Sequence, residues 1–274
     1  MGKFDGVLLA TDYDETLYDK SAGISRENRE AMAYFMAEGG YFTVSTGRSL
    51  GNFSIQMERQ DLQVNAPLIV ANGAQIYDFS AGRLLYDKQM PAAVIGDMAQ
   101  VCAVFPRLGF EAYHKDKVYI HKPNEVTWRH LELAGLPGIE VPIGEMPAPW
   151  VKAMLQHTDK GLLLEIQGYI QEHFGQRYEA IFSNPVLLEL TAKGSHKGSA
   201  VLWLAAHLSV PPDKIFCIGN GQNDLPMLKV AAGAFAPDNC AEELRRAPQV
   251  TILPSCEESC VARLIELLDK DLTK

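Results

Sequence analysis

Four short stretches set oxygen- and nitrogen-bearing side chains beside apolar runs. The first is Asp12-Tyr13-Asp14-Glu15-Thr16, directly after the apolar residues 6–11. Two carboxylates two residues apart, just past a buried strand, repel each other and lose solvation, so they need a cation or a lysine. A hard divalent ion held by oxygens meets that need, and Mg²⁺ keeps waters and takes a substrate phosphate oxygen. The second stretch is Ser45-Thr46-Gly47-Arg48, whose threonine hydroxyl and glycine N–H suit an anion. The third holds Lys197, a positive charge for a phosphate and a nearby carboxylate. The fourth, residues 216–228, presents Asn220, Asn223 and Asp224. Alone it is a metal loop, a phosphate loop or a turn, and Asp224 alone is a helix N-cap.

Each cluster needs an element to deliver it. Residues 6–11, 41–45 and 68–71 are short apolar runs bounded by turn formers, which predicts buried strands. Ser25 predicts a helix start, with Met32, Phe35 and Met36 on one side and Gly39-Gly40 ending the helix. Asn72-Gly73, followed by residues 74–78 and 82–87, predicts a hairpin. From 88 to 185 the segments are mixed and the turns frequent, which predicts a separate α+β unit. Clean alternation returns with expected strands at 186–191, 215–218, 233–236 and 250–253. Helices are expected after Lys197, near Leu225, near 241–246 and over about 258–268. Strands alternating with helices point to an α/β domain, a parallel sheet covered on both faces. The expected division is a core from residues 1–87 and 186–274 with residues 88–185 inserted. Ligands of open parallel sheets bind beyond the carboxyl ends of the strands, so four clusters ending four successive core strands should converge.

Composition narrows the partners. The net charge of −9 over 274 residues argues against nucleic acid as the main partner. No run of 18 apolar residues occurs, so no membrane-spanning helix is expected. The start Met1-Gly2 has a myristoylation glycine, but Gly6 stands where Ser or Thr is wanted. Five scattered cysteines without a C-x-x-C pair or a secretory leader predict no disulfide framework and a cytoplasmic setting. Cys256 and Cys260 lie four apart as on one helix face, but no Cys or His partners stand at metal-ligand spacing. Trp128, Trp150, His121 and Lys122 are pocket candidates no better than packing or surface groups, and His196 has no visible partner.

Taken together, the motifs resemble the haloacid dehalogenase-like superfamily of phosphohydrolases, and more closely its Cof-like branch of sugar-phosphate phosphatases. The D-x-D-x-[TV] motif is matched at 12–16, the strand ending in TGR at 46–48, and NGA at 72–74. The lysine motif is matched at 196–200, and GD-x-x-ND at 219–224 with one departure, Asn220. The resemblance implies a Rossmann-like core with helices on both faces and an inserted α+β cap. It implies a Mg²⁺-dependent phosphatase acting on a small phosphorylated metabolite, sugar phosphates foremost, through an aspartyl-phosphate. By the same resemblance Asp12 is the nucleophile and Asp14 the general acid, then base. Thr46, Gly47, Lys197 and Asn223 serve the phosphate. Asp12, the backbone carbonyl of Asp14, and Asn220 hold the metal, with Asp224 in support. The carboxylate at Asp14 favours rapid hydrolysis; the ion-pumping ATPases that share this core carry Thr there. With Asn220 one metal-facing charge is missing, so weaker Mg²⁺ binding is expected. A phosphomutase of the same fold is the first alternative. A non-catalytic phosphate-metabolite sensor is the second, supported by Asn220 and opposed by intact Asp12, Asp14 and Lys197.

Overall fold

The computed structural model of the protein describes residues 2–271. Its first strand, β1 (Leu8–Thr11), is buried along its whole length. Leu9 faces one apolar cluster and Leu8 and Ala10 the other, as the period-2 alternation of a strand covered on both faces requires. Helix α1 (Arg26–Ala37) starts at Ser25, whose hydroxyl accepts from the Asn28 N–H, and it buries Met32 and Phe35. Strand β2 (Tyr41–Val44) leads into α2 (Leu50–Arg59). Strand β3 (Leu68–Val70) touches the end of β2 through a parallel Ser45–Ile69 bridge. It then pairs antiparallel with β4 (Gln75–Asp78), which pairs with β5 (Arg83–Asp87).

The next elements build a second sheet. They are α3 (Val94–Val104), β6 (Gly109–His114), β7 (Lys117–His121), α4 (Glu125–Ala134) and β8 (Gly138–Glu140), followed by β9 (Lys152–Gln156), α5 (Lys160–Phe174), β10 (Tyr178–Asn184) and β11 (Leu187–Ala192). The strand order is β10-β11-β9-β6-β7-β8, antiparallel except for the β7–β8 pair. This sheet has its own apolar core, including Met98, Phe110, Trp150, Leu155 and Ile166.

The chain then returns through α6 (Lys197–His207), β12 (Ile215–Ile218), α7 (Leu225–Val230), β13 (Gly233–Pro237), α8 (Glu242–Arg245), β14 (Val250–Leu253) and α9 (Cys260–Asp271). The parallel sheet runs β14-β13-β12-β1-β2. Residues of α1 and α9 pack on one face and residues of α6 and α7 on the other. The fold is thus α/β, as the alternation predicted, with an inserted α+β cap, as the mixed middle segment predicted.

One expectation fails. The strand expected at 186–191 is no core strand: the observed Leu187–Ala192 pairs antiparallel with β10 and β9 in the cap sheet. A short apolar run shows that a strand is buried but not which sheet buries it. Lys197 is therefore delivered by the first turn of α6, not by a core strand end. Among the described residues no helix is long and apolar enough to cross a membrane.

Candidate active site

The strand order reverses between β1 and β12, and the crevice at such a switch point is where open α/β sheets bind ligands. Register makes the crevice sharp. Thr11 pairs with Ile218 on one side and Val44 on the other, so Asp12, Gly219 and Ser45 leave the sheet at one level. The Asp12 N–H donates to the Ile218 carbonyl (2.8 Å), fixing the point of exit.

Lys197 lies beneath this crevice, fully buried. Its Nζ donates to Asp12 Oδ1 (2.6 Å) and to Asp224 Oδ1 (2.5 Å). Burial favours the neutral amine, but the charges of Asp12 and Asp224 outweigh it and hold the ammonium above its usual range. Asp12 is pushed up to about 7, by burial first and then by the charge of Asp224, against the pull of Lys197.

The 219–224 turn is shaped around Asp224. A Cβ on Gly219 would meet the Asp224 carboxyl carbon at 2.4 Å, so only glycine leaves room. Asp224 Oδ2 accepts from the Gly221 N–H (2.8 Å). Asp224 stands at the N-cap position of α7 but makes no side-chain cap bond to that helix. The expected capping role is replaced by closing the turn and pairing with Lys197. Asn220 lines the cleft, half-buried, and its side chain makes no hydrogen bond among the described residues. His196 has a structural partner after all: its ring nitrogen accepts from the Ser199 N–H and caps α6.

Asp14 is held by both oxygens. Arg48 donates through Nε to Oδ2 (2.8 Å) and through Nη2 to Oδ1 (2.7 Å). Thr46 is buried and its hydroxyl accepts from the Arg48 N–H (3.2 Å). Asn223 donates through Nδ2 to Asn72 Oδ1 (3.0 Å), and Asn72 donates to Glu189 Oε2 (2.9 Å). Asn72 reaches both from a left-handed backbone (φ 54°), which asparagine tolerates. Gly73 follows it at φ +90°, where a Cβ would meet the His196 carbonyl oxygen at 2.4 Å.

The structure thus brings Asp12, Asp14, Thr46, Gly47, Asn220 and Asn223 to one cleft of 1090 Å³, with Lys197 and Asp224 supporting its floor. The cap supplies much of its wall, including Tyr113, Arg129, His130 and Leu187. Of the pocket candidates, Trp150 is buried in the cap core, Trp128 is exposed, and neither His121 nor Lys122 lines the cleft. Sequence reasoning missed Lys152 and Glu189. Lys152 Nζ donates to Glu189 Oε2 (2.7 Å) and to the Gly47 carbonyl (2.7 Å). Lys152 opens the buried strand β9 and Glu189 sits in the middle of the buried strand β11, and charges are seldom so buried unless paired. It also missed Asn52, which stands one helical turn after Arg48. The cysteines stay apart from the cleft: the Cys256 thiol faces Glu15 (4.0 Å) and Asp19 (3.9 Å), and that of Cys260 faces the Thr16 carbonyl (3.2 Å).

The donors fit a hard divalent cation. Three carboxylates, Asp12, Asp14 and Asp224, face two cations, Lys197 and Arg48. The remaining oxygen of Asp12 and the free amide of Asn220 are oxygen donors of the kind Mg²⁺ takes.

With this geometry in view, the comparisons with known proteins agree. The model of the haloacid dehalogenase-like hydrolase family matches residues 9–265, so the chain belongs to that family. It is 26% identical over 290 residues to the 5-amino-6-(5-phospho-D-ribitylamino)uracil phosphatase YwtE of Bacillus subtilis, covering 95% of this chain and 97% of the relative. It is 24% identical over 267 residues to the HMP-PP phosphatase of Serratia proteamaculans, covering 94% of each. Among solved structures it resembles the HAD subclass IIB sugar phosphatase BT4131, with a TM-score of 0.84 at 20% identity over 95% of this chain and 98% of that one. The chain is an enzyme of the phosphatase type within this family.

Proposed function

We propose that the protein is a Mg²⁺-dependent phosphatase that hydrolyses a small phosphorylated metabolite, a sugar phosphate foremost, through an aspartyl-phosphate on Asp12. The observation that carries this reading is Lys197 bonded to both Asp12 and Asp224 at the switch point, with Asp14 beside it. Asp12 attacks phosphorus; its new bond to phosphorus forms as the bond to the leaving oxygen breaks. Asp14 gives the leaving oxygen its proton, then takes one from the water that attacks the acyl-phosphate, releasing phosphate and restoring Asp12. Thr46, Gly47, Asn223 and Lys197 hold the phosphoryl oxygens, and positioning with charge neutralisation does most of the work. Mg²⁺, when bound, offsets the charge on Asp12 and the phosphoryl group. Asp12, the Asp14 carbonyl and Asn220 would hold it, with Asp224 in support by fixing the turn.

The cleft, partly walled by the cap, fits a metabolite rather than a polymer. We further propose the core and cap as the functional division, with crossings near residue 88 and, because β11 pairs within the cap sheet, near residue 193 rather than 186. The sugar phosphatase among the similar structures supports the substrate class. A cytoplasmic location goes with this reading, supported by five free cysteines, four of them buried.

The test is phosphate release from sugar phosphates and an aryl phosphate. Turnover that is abolished by Asp12→Asn and by a chelator is the expected result. Metabolite binding without turnover across a broad panel would favour the sensor reading instead.

A further inference from the structure

We propose that Asn52 is a positioning residue that couples docking of the cap to the placement of Asp14. This rests on the reading of Asp14 as general acid. The observation is an unbroken hydrogen-bonded chain from the cap to the catalytic carboxylate. Arg48, whose fork holds Asp14, also donates through Nη1 to Asn52 Oδ1 (2.7 Å). Asn52 in turn donates through Nδ2 to the carbonyl of Ala134 (2.7 Å). Ala134 is the last residue of α4, before the left-handed Gly135 that ends the helix.

The chemistry leaves little freedom in this chain. Ala134 offers a carbonyl from the last turn of a helix, which has no partner inside the helix and carries partial negative charge. A carbonyl can only accept and a guanidinium can only donate. The link between them must therefore accept at one end and donate at the other, which the amide of Asn52 does. The amide is planar, so holding Nδ2 on the cap aims Oδ1 at Arg48. Asn52 is 4% exposed, so little water competes for either end. Arg48 also lies over the Tyr13 ring (5.6 Å from its centroid), which limits its other orientations. When the cap docks, Asn52 is oriented, Arg48 is pinned and Asp14 takes its place. When the cap lifts, the Ala134 carbonyl leaves and the amide is free to turn.

The experiment uses the full chain with Mg²⁺ and two substrates, an alkyl phosphate and p-nitrophenyl phosphate. The alkyl ester needs its leaving oxygen protonated; p-nitrophenolate leaves without help. Asn52→Leu keeps the size and removes both hydrogen bonds. It is expected to lower kcat/KM for the alkyl ester about tenfold or more beyond any loss on the aryl ester, because general acid catalysis supplies about 10²–10⁴-fold and a misplaced acid forfeits part of it. Should Asn52→Leu not fold, Asn52→Asp reads the same ratio: its carboxylate can accept from Arg48 but repels the Ala134 carbonyl. An active wild type confined to the aryl ester, or an equal loss on both esters, overturns the coupling alone. A wild type that turns over neither ester overturns the phosphatase reading and the coupling with it.

Discussion

Asn220 puts a neutral amide where the resembling metal loops carry a carboxylate, in a site whose charge balance makes the difference count. Against a divalent ion at ~4 Å and an effective dielectric of ~20, one added carboxylate is worth on the order of 8 kcal/mol gross, much of it offset by desolvation. We expect Asn220→Asp to tighten Mg²⁺ binding by about tenfold or more, since even a small surplus of that gross figure exceeds the ~1.4 kcal/mol a decade requires. Titration calorimetry on both proteins, without substrate, reads this directly; indistinguishable affinities would sink the idea. At this scale the sequence was legible where a motif adjoined a strand end. Asp12, Asp14, Thr46 and Asn223 are near one another because Thr11, Val44 and Ile218 end in register. It was illegible where a role depends on a partner far along the chain. Nothing in the spacing of Asn72 shows that it bridges Asn223 to Glu189, 117 residues on.

At the scale of elements, β9 and β11 carry the charges that fasten the cap to Gly47 and Asn72 of the core. Lys152 and Glu189 are 3% and 5% exposed, so neither charge is relieved by water if the other is removed. We expect Glu189→Leu to destabilise the protein by about 3–5 kcal/mol, the usual cost of leaving one half of a buried ion pair. Lys152→Met together with Glu189→Leu should recover part of that loss, because no bare charge remains. The Gly47 carbonyl and the Asn72 amide would still lack their partners, so recovery should be incomplete. Denaturant titrations of the three proteins test this; a Glu189→Leu cost below about 1 kcal/mol would contradict a buried pair of this kind. The same strand shows why one fold expectation failed. Apolar residues at 187, 188 and 190 made β11 read as a core strand, and only its pairing with β9 and β10 assigns it to the cap. The glutamate in its middle was the available sign that it faces a polar site.

On the scale of the molecule, two apolar cores are separately built, one set flanking the parallel sheet and one inside the cap. They meet through a smaller cluster in which Ala71 and Ala74 pack with cap residues such as Tyr113 and Met154. The two chain crossings are tied where Lys88 Nζ donates to the Lys193 carbonyl (2.7 Å). A cap with its own core should respond to conditions that leave the parallel sheet alone, and Glu111 provides one. It is fully buried and accepts from Tyr113 (2.7 Å) and Gln156 (2.6 Å), with the His130 ring at 3.0 Å. Burial alone would raise its carboxyl, but the bonds from His130, Tyr113 and Gln156 outweigh burial and hold it below its usual value of 4.5. A lowered folded value means that the unfolded chain binds the proton more readily. The stabilisation is therefore complete above about 4.5 and is lost as the pH falls through the folded value. Two of the three tryptophans, Trp128 and Trp150, lie in the cap, and the third is Trp203 in α6. In a Trp203→Phe background, fluorescence during denaturant unfolding therefore follows the cap. We expect the cap midpoint to drop on acidification below about pH 4.5, and Glu111→Gln to flatten that drop while costing roughly 1.5–3 kcal/mol at neutral pH, the worth of a hydrogen bond to a charged group. Parallel pH curves for the two proteins would show that the Glu111 network does not hold the cap together.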